Sequence, residues 1–408
     1  MYIYIIISKA TNGDKLWRFL YLHIIKNVLK YYVLCYLRGV QDTMTHFKPS
    51  VGIYTLGCKV SQYESEAIAE AFEAAGFDVM PPDAPCDVYV INTCTVTAES
   101  DRKSRQIIRR AASTNPPALI MVTGCYPQAN PEGIRVMPEV DYISGTKDKT
   151  ALPARALDML KNGKPNTPIV EISDISDTAY EPMKITRAPR TRAYVKIEDG
   201  CECRCTYCII PTARGNVRSK PAGDVYDEVF ALVQSGCREV VLTGIETASY
   251  GRDIGDIDLA DLLLTLDDIE GLERIRIGSL DPSVMNDDFI DMLSRLKRLA
   301  PHFHLSMQSG SDRILRLMKR RYSAKAALQS IEALRGIIPD VTFTTDIMVG
   351  FPGESDEDFS QTVDFCRQAR FLNMHIFAYS RRDGTEAAEM KEQIPPAVKK
   401  ERSAALSA

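Results

Sequence analysis

From about residue 51 onward, short apolar runs alternate with longer amphipathic stretches. Val51–Leu56, Val88–Ile91, Ala118–Val122 and Val140–Ile143 are each four to six mostly apolar residues. Runs of that length are too short for helices and predict strands buried in a sheet. Between them, Ser65–Ala75, Glu99–Ala112 and Lys149–Leu160 have helical character, and Gly76 stops the first. Strand–helix alternation predicts an α/β fold with a parallel sheet over residues 49–162. Residues 163–188, rich in Pro, Asn, Thr and Asp, read as a linker. Alternation resumes at Arg192–Glu198 and continues through strands at Glu239–Thr243, Arg274–Gly278, His302–Met307, Val341–Val349 and Met374–Ala378. Six strands are too few for the eight-fold barrel and predict an open, partial (β/α)6 barrel over residues 189–390. In both parts, reactive groups belong at the carboxyl ends of the strands.

The first 43 residues stand apart. They are basic and aromatic, hold the only tryptophan, Trp17, and precede Met44. No apolar run there reaches the ~20 residues that span a bilayer, and charges interrupt any signal-peptide core. The expectation is that translation starts at Met44 and that residues 1–43 are not native. The intact mass of the product of the native gene checks this, and a product containing Trp17 overturns it. The chain's 408 residues are 45% hydrophobic and 25% charged, an ordinary globular composition. Net charge is −4; residues 1–50 carry seven Lys/Arg against two Asp/Glu, which leaves −9 for the rest. That balance argues against a generally basic nucleic-acid binder. Eleven cysteines without a secretory signal suggest a reducing cytoplasm and metal ligation.

Four of those cysteines fall within eight residues, in Asp199-Gly200-Cys201-Glu202-Cys203-Arg204-Cys205-Thr206-Tyr207-Cys208. Cys201, Cys205 and Cys208 have the spacing C-x3-C-x2-C. A zinc knuckle needs a second pair of ligands nearby, yet the next cysteine is Cys237. Thiolates are the usual ligands of iron–sulfur cubes, and three of them leave one iron of a cube open. Cys203 is surplus, either a spectator or a competing ligand. Cys58, Cys94 and Cys125 each follow a predicted strand, next to Gly or Asn. In a parallel sheet the three converge on one edge and favour a second cluster over three independent buried thiols. Cys86 and Cys35 fit no such position.

Other strand ends carry polar groups suited to an amino-acid-like cofactor. These are Gly244 and Glu246 after the second strand of the barrel, Gln308 and Ser309 after the fourth, and Asp346 in the fifth. Each motif alone is equally a plain turn or a helix cap. Arg102, Arg105 and Arg109 share one helix face behind Cys94, either a solvated surface or a phosphate-binding one.

The C-x3-C-x2-C loop resembles the signature of the radical S-adenosylmethionine enzymes. With Leu56–Glu64, Asn92–Thr97, Thr123–Tyr126, Leu305–Tyr322 and Val349–Glu354, the chain from about Val51 to Arg402 resembles the methylthiotransferase family. Leu-Gly-Cys-Lys-Val at Leu56–Val60 is similar to the branch acting on threonylcarbamoyladenosine in tRNA; the isopentenyladenosine branch is the nearer rival. Ser61, where the branch commonly has asparagine, departs from it. The resemblance implies a tRNA adenosine beside the anticodon as substrate and a 2-methylthio product. It implies two 4Fe-4S clusters, one on Cys201, Cys205 and Cys208 and one on Cys58, Cys94 and Cys125, with S-adenosylmethionine as methyl donor and radical source. It further implies a reduced flavodoxin- or ferredoxin-type electron donor, a monomer in the cytoplasm, and no membrane association. The family's C-terminal RNA-binding barrel has no counterpart here, since residues 391–408 are too short for it. Rival readings are a radical enzyme acting on a non-RNA substrate, and a non-catalytic iron–sulfur or RNA-binding protein. An iron count separates the first rival, because one cluster per chain supports it and two support methylthiolation.

Overall fold

Branched apolar residues dominate the strands, and all six residues of Val88–Thr93 and of Leu119–Gly124 are buried. In the computed structural model, which describes residues 48–407 apart from 177, 178, 189 and 256, these runs form the centre of a parallel sheet. Its strands are β1 (Ser50–Thr55), β2 (Asp78–Met80), β3 (Val88–Thr93), β4 (Leu119–Gly124), β5 (Tyr142–Ser144) and β6 (Ile169–Glu171), in the spatial order β2-β1-β3-β4-β5-β6. The helices α1 (Lys59–Ala74), α2 (Ala98–Thr114), α3 (Cys125–Ala129) and α4 (Leu152–Asn162) connect them. Thr97 caps α2 by accepting from the Ser100 amide, with Glu99 and Asp101 in the first turn.

Two strands differ from the sequence reading. β2 is a three-residue edge with no apolar run. β6 lies within the segment read as a linker, where it pairs with β5 while all three of its residues stay exposed. With only Ile169 and Val170 as apolar residues, the strand is too short to stand out as an apolar run, and the Pro, Asn and Thr around it read as loop. The rest of that segment is also packed. Met183 and Ile185 are buried, and the Tyr63 hydroxyl donates to the Met183 carbonyl at 2.6 Å.

The second half supplies β7 (Ala193–Lys196), the short antiparallel pair β8 (Glu198–Asp199) and β9 (Arg218–Ser219), β10 (Glu239–Thr243), β11 (Arg274–Ile277), β12 (Ser279–Leu280), β13 (His302–Gln308), β14 (Thr342–Val349) and β15 (Asn373–Ala378). The parallel orders are β11-β10-β7 and β12-β13-β14-β15. β11 fills the expected strand Arg274–Gly278, and β12 continues it beyond Gly278 into the second sheet; counting the two as one, six strands alternate with helices, and no closed barrel forms among the described residues. Phe303, Leu305, Met307, Phe343 and Ile347 point into the apolar core, so the alternate residues His302, His304, Ser306, Thr344 and Asp346 share the opposite, polar face. One core cluster runs through both halves, and Ser50–Ala408 is a single unit. The last helix, α5 (Pro396–Ser407), docks through Arg402, which pairs with Glu354 at 2.6 Å and Asp356 at 2.8 Å.

Candidate cluster and cofactor site

Cys58, Cys94 and Cys125 follow β1, β3 and β4, three neighbouring strands, so they end at one edge of the first sheet. Two glycines permit the approach. Gly57 has φ +120°, and a Cβ there would stand 3.3 Å from Cys94 Sγ. Gly124 has φ +102°, and a Cβ there would press on the backbone of Thr93 and on Asn92 Oδ1. Cys94 and Cys125 are buried and Cys58 is exposed. Burial pushes the Cys125 thiol up to about 11, and Arg214, Cys94 and Cys58 all act on it electrostatically. Burial also raises Cys94. Neutral buried thiols need a cation to become ligands, so metal binding there releases protons.

The Cys201–Cys208 loop is fixed from both ends. Gly200, at φ +86°, lies so near the Asn216 carbonyl that a Cβ would overlap it. The Cys201 amide donates to the Gly215 carbonyl at 3.0 Å, and the Thr206 amide to the Met318 carbonyl at 3.2 Å. Arg320 donates to Cys205 Sγ at 3.4 Å and pairs with Asp281 at 2.5 Å. Burial raises Cys208 to about 12. Cys203 is the surplus thiol; its amide reaches Cys201 Sγ at 3.4 Å, and the hydrogen bond with Cys201 lowers its pKa to about 6. Gly200→Ala therefore forces the loop apart. The expected result is a soluble chain with about four fewer irons, checked by anaerobic iron analysis.

Beside this loop, Glu246 Oε1 and Gln308 Oε1 are buried with no hydrogen-bond partner among the described residues. Burial, then the Asp281 charge, raises Glu246 to about 8. Gln308 has φ +66°, a left-handed conformation that aims its side chain at a cost. Gly244 leaves room for Glu198, whose Oε2 accepts from the Glu246 amide at 2.8 Å. Two unspent acceptors beside an open set of thiols fit an amino-acid ligand bearing an ammonium group. Ser309 instead faces Thr362 at 3.2 Å and takes the Ser311 amide. Asp346 is already engaged. His304 Nε2 lies 3.3 Å from one of its oxygens and His375 Nδ1 3.1 Å from the other.

Sequence reasoning missed the group that joins the two cysteine sets. Arg214 is fully buried and donates from Nε to Cys125 Sγ at 3.2 Å. It pairs with Glu64 at 2.5 Å and with Asp199, two residues before Cys201, at 3.2 Å. Lys196 reaches Glu64 at 3.0 Å and Asp199 at 2.7 Å, and Lys149 reaches Glu64 at 3.5 Å. A second tie is Arg382, which pairs with Asp101 and the Thr95 hydroxyl beside Cys94. Position next to the cysteine motifs was the only available signal. Of the arginine face on α2, Arg102 is exposed and pairs with Glu99, Arg109 is exposed and approaches Glu139 at 3.8 Å, and Arg105 donates to the Tyr126 hydroxyl at 2.6 Å. No helix among the described residues is long and apolar enough to cross a membrane.

Comparison with known proteins agrees with this layout. Residues 195–366 match the radical SAM superfamily, and residues 50–145 match the uncharacterized protein family UPF0004. The chain is 42% identical to the threonylcarbamoyladenosine tRNA methylthiotransferase MtaB of Bacillus subtilis, covering 86% of this chain and 78% of that one. It is 40% identical to the protein of the same name from Thermotoga maritima, covering 86% and 80%. It is 38% identical to the tRNA-2-methylthio-N(6)-dimethylallyladenosine synthase of Carboxydothermus hydrogenoformans, covering 86% and 80%. Among solved structures, a radical S-adenosylmethionine methyltransferase, TsrM, from Kitasatospora setae shares the fold, with a TM-score of 0.60 at 15% identity over 84% of this chain and 77% of that one.

Proposed function

Because the chain belongs to the radical S-adenosylmethionine tRNA methylthiotransferases, enzymes that use S-adenosylmethionine and 4Fe-4S clusters, we propose that its substrate is the threonylcarbamoyl-modified adenosine beside the anticodon and its product the 2-methylthio derivative. The observation that carries the reading is the meeting of two cysteine sets across one arginine, Arg214, which contacts Cys125 Sγ and pairs with Asp199 before the Cys201 loop. A single-cluster enzyme has no use for the second set. The threonylcarbamoyl reading also follows the two relatives of highest identity quoted above.

In this reading residues 49–162 form the domain for the auxiliary cluster on Cys58, Cys94 and Cys125, and residues 189–390 form the radical domain with Cys201, Cys205 and Cys208. When bound, the two clusters and S-adenosylmethionine supply the electron, the radical, the sulfur and the methyl group. The chain's own residues bind and orient. Glu246 and Gln308 accept the ammonium of S-adenosylmethionine, and Gly244 leaves the backbone open to it. The buried set of Glu64, Asp199 and Arg214 holds the two cysteine loops in register. Arg102, Arg105 and Arg109 contribute salt-dependent contacts to RNA phosphates.

The test is mass spectrometry of tRNA nucleosides from a strain lacking the gene. Loss of the methylthio mark from threonylcarbamoyladenosine, restored by the cloned gene, is expected. Loss from the dimethylallyl nucleoside instead assigns the other branch, and no change in either removes the tRNA role.

A further inference from the structure

The two cysteine sets belong to different sheets. Cys94 follows β3 of the first sheet, and Cys205 lies between β8 and β9 of the second half. A single link between them, such as Arg214, leaves the two sets free to rock about it. A second link, away from the first, removes that freedom. The stretch Tyr379–Ala388, directly after β15, makes such a link and reaches both sets.

This stretch is anchored along its length. The Tyr379 amide donates to the Val349 carbonyl at 2.9 Å, and the buried Tyr379 ring stands edge-on to Phe351. A tight turn then holds the backbone of Arg382, whose carbonyl accepts from the Thr385 amide at 3.2 Å and from the Thr385 hydroxyl at 2.6 Å. At the far end, the Ala387 amide donates at 2.8 Å to the carbonyl of Thr206, the residue after Cys205. Thr206 is itself pinned, with its hydroxyl donating to the Leu317 carbonyl at 2.9 Å.

From that fixed backbone the Arg382 side chain crosses to the first half. One guanidinium nitrogen pairs with Asp101, and the other donates to the Thr95 hydroxyl. Thr95 passes its own proton to Asp101 at 2.7 Å, so the three groups close a ring of donors and acceptors. Thr95 is fully buried and follows Cys94, while the side chains of Arg382 and Asp101 are only 11% and 10% exposed. A buried ion pair adds little stability over apolar packing, but one geometry alone satisfies it. A planar fork that meets two acceptors at once fixes direction as well as distance.

Resting on the two-cluster reading above, we propose that Arg382 is a positioning residue for sulfur transfer: with the strap Tyr379–Ala388 it sets the separation and tilt of the two cysteine sets. Cleavage of S-adenosylmethionine needs only the Cys201 loop. Sulfur insertion also needs the activated substrate carbon to lie within bonding reach of sulfur held at the other set. That second requirement is the one that a shift of about 1 Å defeats. The strap therefore governs how well the two steps are coupled.

The test uses the full chain with its clusters reconstituted anaerobically. It compares wild type with Arg382→Met, which keeps the stem and removes the fork. Three quantities are measured: iron per chain, 5′-deoxyadenosine formed per methylthio nucleoside on a tRNA stem-loop, and the magnetic coupling between the two reduced clusters by EPR. Arg382→Met is expected to hold about eight irons. Its cleavage rate should stay within about twofold of wild type while deoxyadenosine per product rises about 10-fold, as misplacement of a reacting group predicts. The magnetic coupling should change with it. Arg382→Lys, which keeps the charge and loses the fork, should fall between the two. Thr385→Val frees the Arg382 turn without touching either cysteine loop, and it should move the ratio in the same direction. A merely structural role lowers both steps together and leaves the ratio where it was. If Arg382→Met loses iron, the two milder variants decide the matter. An unchanged ratio, or an unchanged magnetic coupling, in variants that hold both clusters overturns the strap while the two-cluster reading stands. If wild type itself takes up only about four irons, or forms no methylthio nucleoside, it is the function reading that fails.

Discussion

Alanine at Cys205 is expected to abolish the reductive cleavage of S-adenosylmethionine, while alanine at Cys94 is expected to leave cleavage in place and stop sulfur insertion. The division follows from position. Cys205 sits in the loop whose backbone is pinned by Gly215 and Met318, with Arg320 on its sulfur. Removing one of the three thiolates that hold an open-site cube releases the cube, and with it the open iron available to the cofactor. Cys94 belongs to the other set, behind Gly57 and Gly124 at the edge of the first sheet. Each variant should lose about four irons and keep the rest. The measurements are 5′-deoxyadenosine formed under dithionite and methylthio nucleoside formed on a tRNA stem-loop. Equal loss of cleavage in both variants, with iron retained at the other site, overturns the division of labour.

Replacing Glu64 by glutamine destabilises the fold by about 3–5 kcal/mol, the usual cost of removing one partner from a buried ion pair. Three buried cations, Arg214, Lys196 and Lys149, share this carboxylate. Burial alone would raise its pKa, but the charges of those three outweigh burial and hold it well below its ordinary value of 4.5. Asp199 is likewise held down to about 2, with Arg214 and Lys196 outweighing burial. The sign of the pH dependence follows. A carboxylate with a depressed folded pKa contributes its stability above the unfolded pKa and loses it as pH falls through the folded one. Wild type should therefore lose thermal stability between about pH 4.5 and pH 2. Glu64→Gln should start lower and show a shallower acid slope. Melting temperatures across that window check this, and an unchanged melting curve would falsify the role given to the network. The two cysteine loops should also lose their register in this variant, so sulfur insertion falls further than S-adenosylmethionine cleavage.

Much of this molecule follows from local sequence. The buried strands β1, β3 and β4 were readable because their apolar runs are short and bounded by turns. Both cysteine sets were readable for different reasons. The Cys201 loop carries its ligand spacing in eight consecutive residues, and Cys58, Cys94 and Cys125 carry theirs in a repeated position after strands, which a parallel sheet brings to one edge.

Tertiary structure alone decided the charged and polar partners. Nothing local says that Glu64 on α1 meets Arg214, 150 positions later, or that His375 meets Asp346 across a strand pair. Apolar periodicity is a local code, because one face must be buried wherever the element lies. Ion pairs depend instead on which elements become neighbours. Asp346 shows the difference: its motif suggested a cofactor contact, and the fold instead gives both its oxygens to histidines.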